Sequence, residues 1–202
     1  MDSYQIKTAS DHDAFSSFRE ALLSLVEFIV SSLSCSFAAN DPTQARQHEQ
    51  DAAAHMHARK FGQAAWAYMQ AADTHMQAGN LTQAALAYEQ VASARTRVVE
   101  NDMLTGTPEK AACAYEQVAA AHRQAAEAHV QAGKPEQAAR AYEQSAAAYV
   151  RAAEAHMQAK DSEQATWAHT QATWARTQAT TALTQAAATL LLREAGKVNK
   201  VY

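Results

Sequence analysis

The amino-acid sequence predicts an all-α protein, an antiparallel up-and-down stack of about seven helices. Three observations carry that expectation. Roughly one residue in four is Ala, Gln is abundant, and only five Gly and three Pro interrupt 202 residues. Ala enters a helix without losing side-chain entropy, so such a chain is mostly helical. Tyr88, Tyr115 and Tyr142 stand 27 residues apart inside the near-identical blocks QAALAYEQVASA, KAACAYEQVAAA and QAARAYEQSAAA, and QATWAHTQATWA places His169 a further 27 on. A fixed period means one supersecondary unit copied along the chain. An earlier copy, QAAWAYMQAADT, places Tyr68 only 20 residues before Tyr88, one heptad short. Two helical turns can be deleted without rotating the buried face only where the deleted stretch is helical.

In chain order, residues 1–10 read as a loose end. Residues 11–38 read as a first helix, with Asp11 or Asp13 available as its cap. Its apolar positions Phe15, Phe18, Leu22, Leu25, Val26, Ile29 and Leu33 follow helical spacing, and Leu23, Phe28, Val30 and Phe37 widen the stripe. Asn40-Asp41-Pro42 ends that helix and starts the next. The punctuation then recurs at Lys60-Phe61-Gly62, Gly79-Asn80, Gly106-Thr107-Pro108-Glu109, Gly133-Lys134-Pro135-Glu136 and Lys160-Asp161-Ser162-Glu163. Gly past a helix end, followed by Pro or an acidic cap inside the next helix, is the expected asymmetry. The helices between are expected over 42–59, 62–78, 81–104, 108–132, 135–159 and 162–195. Two domains follow: 1–40, an apolar helix serving as cap or partner-binding element, and 41–202, an Ala/Gln-rich helical repeat.

A heptad runs inside each helix: Tyr115, His122 and His129; Tyr142, Tyr149 and His156; His169, Arg176, Leu183 and Leu190. The Ala filler between them lets helices approach closely. Across the turns the step is 13 residues each time, from His55 to Tyr68, His75 to Tyr88, His129 to Tyr142 and His156 to His169, so these hairpins share one geometry.

Ala126, His129, Gly133, Ala138, Tyr142 and Ser145, and again Ala72, His75, Gly79, Ala84, Tyr88 and Val91, carry the spacing of a tetratricopeptide-repeat hairpin. Over residues 50–170 the chain resembles that family and the related helical hairpins of SNAP-type vesicle-fusion adaptors. The resemblance implies a protein-binding scaffold. The family repeat has 34 residues and a second turn, whereas this one has 27, and nothing breaks EQSAAAYVRAAEAHMQ. The second helix of each unit is therefore fused to the first helix of the next. The family's peptide groove depends on the missing turn, so no family binding residue carries over.

The formal charge of −4 with interspersed signs leaves no basic stripe and argues against a nucleic-acid partner. Cys35 and Cys113 form no disulfide framework and suit a reducing, cytoplasmic setting; delivery by a specialised secretion system would leave no readable sign. Ala21–Val30 is interrupted by Glu27 and is too short for a span. A membrane-surface role through 11–38 is weakened by the near absence of Lys and Arg there. No nucleophile motif, phosphate loop or paired-carboxylate cleft appears, so no enzyme, cofactor or metal is expected. The histidines before successive turns lie at alternate ends of the stack, too far apart for one ligand set, and each is expected to pack on the Tyr across its hairpin. Glu89, Glu116 and Glu143 are expected to serve the helix dipole and solubility. The candidate partner-binding residues are Phe15, Phe18, Leu22, Leu25, Phe28 and Ile29 on the first helix, with Trp66, Trp167 and Trp174. The expected function is a non-enzymatic adaptor for another protein; the alternative is a self-associating, homo-oligomeric structural protein.

Overall fold

The computed structural model describes residues 42–103 and 106–198. The helix expected over 11–38, and with it Phe15, Phe18, Leu22, Leu25, Phe28 and Ile29, lies outside the described residues. The described residues form six helices and no strand: α1 (Pro42–His57), α2 (Phe61–Gln77), α3 (Leu81–Met103), α4 (Pro108–Gln131), α5 (Pro135–Gln158) and α6 (Ser162–Val198). Each boundary falls within three residues of its sequence expectation. The stretch 136–158 is unbroken helix, as the fused repeat requires.

Contacts run between helices adjacent in sequence, with a slight touch between α4 and α6. Short turns between such neighbours make them antiparallel. The result is an open row of helices, a quasi-one-dimensional arrangement. Its core is made of small side chains. Among residues less than 2 % exposed, the bulkiest are Val91, Val99 and Ser145. Along α6 the buried positions are Ala165, Ala168, Ala172, Ala175, Ala179, Ala182 and Ala186, an unbroken heptad seam against α5. Such a seam brings helix axes toward the lower end of the usual range of about 8–10 Å. The central seam position of successive repeats shrinks along the chain, from Val91 and Val118 to Ser145 and Ala172. The Ser145 hydroxyl is buried and donates to the Ala119 carbonyl of α4 at 2.9 Å, so it leaves no unpaired group.

Four of the five turns are copies of one another. Residues 59, 79, 133 and 160 all have positive φ, between 55° and 72°. In each, the next residue's N–H reaches back five positions to a histidine carbonyl: Lys60 to His55, Asn80 to His75, Lys134 to His129 and Asp161 to His156, at 2.8–2.9 Å. This is the Schellman C-cap, and the residue closing it is at once the cap of the next helix. The constant 13-residue step from each of these histidines to the Tyr or, in the last case, His169 of the next helix is this turn counted in residues. Gly79 and Gly133 adopt the left-handed conformation freely, whereas Arg59 and Lys160 hold it with a side chain.

A Cβ added at Gly133 meets nothing within 4 Å, so only its backbone conformation opposes substitution. Gly133→Ala is expected to lower unfolding free energy by about 1 kcal/mol, read as a lower urea midpoint with an unchanged slope.

Candidate functional site

The heptad column of Tyr and His stands on one side of the row, where each helix faces both of its neighbours. From α5, Tyr142 meets Trp174 of α6 edge to face, with ring centroids 5.9 Å apart, and Tyr149 meets Trp167 in the same way at 5.8 Å. The Arg123 guanidinium of α4 lies 6.0 Å from the Trp174 ring. Looking the other way, the Tyr88 hydroxyl of α3 donates to Asp73 of α2 at 2.7 Å. Burial, then the hydrogen bond and the charge of Asp73, push the Tyr88 phenol well above its ordinary range.

The histidines have polar partners that the sequence reading did not name. Each reaches back through its ring to a glutamate on the preceding helix. His75 Nε2 meets Glu49 at 3.1 Å, His129 Nε2 meets Glu89 at 3.1 Å, and His156 Nε2 meets Glu116 at 2.8 Å. Glu89 and Glu116 are thus partners of buried rings as well as surface charges. The reason is directional: a side chain in the last turn of a helix leans toward that helix's N-terminus, which here is the level of the preceding helix's third turn. The signal was legible as a recurring separation, 40 residues for both His129–Glu89 and His156–Glu116. Continuing the register places Met69 against Arg95 and Glu143 against Leu183, where the clasp is absent. Arg95 instead donates to Gln117 of α4.

A groove of about 540 Å³ lies above α4, walled by α3 and α5. Its floor is His122 and His129; Glu89, Ser93 and Thr96 line one wall, and Lys134, Arg140 and Gln144 the other. One substitution accounts for it. At the middle of the heptad column α5 has Tyr149, whereas α4 has the smaller His122. The Nδ1 atoms of His122 and His129 are buried with no hydrogen-bond partner. Burial pushes the His122 imidazole below its ordinary value, with Glu89 opposing the shift. The sequence reading passed over His122, although its place between Tyr115 and His129 set it apart from the Tyr142–Tyr149–His156 column.

The three candidate tryptophans divide into two kinds. Trp167 and Trp174 show 43 % and 38 % of their surface while an edge of each packs on a tyrosine. Trp66 is 59 % exposed and stands between two clefts that both begin at Gly62. One cleft, about 460 Å³, is lined by His48, Asp51, His55 and Gln63; the other, about 250 Å³, by Met69, Arg95, Val98 and Gln117. Among the described residues, no cluster of three or more metal-ligating side chains occurs, and no helix is long and apolar enough to cross a membrane. No family model and no curated protein matches the chain.

Removing Glu89 strands a 2 % exposed histidine. Glu89→Ala is expected to destabilise the fold by about 1–3 kcal/mol. The Glu89→Ala/His129→Ala pair should cost less than the sum of the two single variants, read in a double-mutant cycle by urea unfolding. The His122 shift has its own sign. A base held below its free value of 6.5 contributes stability above that pH and loses it as pH falls toward the folded value, because the unfolded chain takes the proton first. Stability should therefore decline more steeply in wild type than in His122→Gln as pH drops from about 6.5 to about 5, measured by urea midpoints at each pH.

Proposed function

We propose that this chain is a non-enzymatic interaction scaffold, a shortened tetratricopeptide-like row of helices that holds a rigid surface against a protein partner. The observation that carries the reading is Trp66. A large aromatic side chain, more than half exposed on a helix interior, with a cleft on each side, has the form of a binding hot spot. Its support is rigid: α2 is packed between α1 and α3, and Ala64, Ala65 and Ala67 beside the indole are buried. A preformed surface of this kind loses little conformational entropy on binding. The groove over α4 offers a second foothold, since its walls carry Lys134 and Arg140 and its floor carries imidazole nitrogens without partners. The composition, with mixed charge and no basic stripe, fits a protein partner better than a nucleic acid.

The test is capture of partners from native extract by the immobilised full chain, followed by mass spectrometry. Trp66→Ala should lose the captured protein while its melting temperature stays within a degree or two of wild type. Trp167→Ala, which removes the ring against Tyr149, should instead lower the melting temperature. Capture that survives Trp66→Ala and the groove-filling His122→Tyr would overturn the reading.

A further inference from the structure

Helix α6 closes the described row at one end, and its outer edge is not the inert face that its composition suggests. The 27-residue register sets Thr173, Arg176, Thr180 and Leu183 where α5 has Ala146, Tyr149, Ala153 and His156. That part of α5 is the side on which α6 is seated: Tyr149 meets Trp167, and Ala153 packs with Ala168. The matching stripe on α6 has the spacing of a helix seat with no helix on it among the described residues, and its Leu183, Ala187 and Leu190 border a cleft shared with Glu136, Arg140 and Glu143 of α5. It continues with unbroken heptad spacing through Ala187 and Leu190 to Glu194.

Two further observations bear on burial of this stripe, the first of them shared by every threonine of α6. Thr173, Thr177, Thr180 and Thr184 are exposed, yet each hydroxyl already donates to the carbonyl four residues before it, at 2.9–3.1 Å. Such a threonine turns its methyl outward, and covering it strands no polar group. Leu183, Leu190 and Leu191 are 48 %, 52 % and 72 % exposed on or beside the same stripe.

We infer that this stripe is a homodimer seam, on which α6 of a second copy of the chain lies antiparallel. The occupant follows from self-complementarity. With a two-fold axis across the helix near residue 185, Leu183 meets the second copy's Ala187 and Thr180 meets its Leu190. Arg176 then meets the second copy's Glu194, and the reciprocal contacts form at the other end. Leu183 faces Ala187, Thr180 faces Leu190 and Arg176 faces Glu194, a pairing that reads the same from either copy, as an isologous contact requires. Among the described residues Arg176 enters no ion pair, while Glu194 also has an interaction within its chain. The other end of the described row offers no rival seat. By the 20-residue register the outer stripe of α1 is Gln44, Gln47, Asp51 and Ala54, all exposed and mostly polar. The inference is independent of the role given to Trp66, which lies on α2.

The experiment is sedimentation of the full chain over a range of concentrations, with helicity and melting followed by circular dichroism. Wild type is expected to show a monomer–dimer equilibrium. Arg176→Glu and Glu194→Arg should each weaken it about tenfold, since each sets like charges together at both ends of the seam. Both residues are exposed, so the fold should be retained. Mixed in equal amounts, the two variants should associate at wild-type strength or better, because every cross-seam pair is then of opposite sign. Leu190→Asp should weaken association about a hundredfold. A wild type that stays monomeric, a dimer indifferent to the charge reversals, or single variants that fail to complement each other would each overturn the inference.

Discussion

Close contact between helices through alanine is the constraint on which the rest of this molecule depends. An Ala seam buries little area per residue, so stability has to come from many contacts repeated at short axial separation. Short separation in turn requires that every hairpin bring its second helix back at the same height and angle. At four of the five hairpins the repeated left-handed turn does this, and there its closing hydrogen bond ends on a histidine carbonyl. Three of these four histidines, His75, His129 and His156, then reach the preceding helix through their rings. One residue thus closes the turn with its backbone and ties two helices with its side chain.

The polar rungs set register in a core that could not set it alone. Alanine faces are nearly featureless, and a slide by one heptad along such a seam would exchange one Ala for another. The His–Glu clasps, the Tyr88–Asp73 bond and the buried Ser145 hydroxyl each fit at only one height. Buried hydrogen-bonded groups are costly when mismatched, so they penalise the slipped alternatives more than they strengthen the native one. Where the clasp is absent, bulk takes over the same task. At the α5–α6 pair, Trp167 and Trp174 lock against Tyr149 and Tyr142.

The features that point to function arise where a repeat departs from its own pattern. Gly62 leaves space on both sides of Trp66, His122 in place of tyrosine opens the groove over α4, and the change to Thr, Arg and Leu on α6 ends the row. Stability therefore resides in the period and recognition in its exceptions, an arrangement suited to a row in which each helix touches only its neighbours.

Much of the fold was legible in the sequence because its determinants are local. Helix ends follow from Gly, Pro and capping residues, the buried face from heptad spacing, and the single-heptad deletion before Tyr88 from the invariance of that face. The exposure of Trp66, Trp167 and Trp174 was only half legible, since bulk in an Ala-rich helix serves packing and recognition equally well. Which glutamate each histidine meets could not be read from one helix, because it depends on the height at which two helices stand side by side. That height is set by the turn's three-dimensional path. The groove above α4 likewise needs three helices at once: His122 is one small residue in sequence, and only the walls supplied by α3 and α5 make its missing bulk a cavity. Local propensity chose the elements, while pairing across helices, which no single segment encodes, decided the contacts between them.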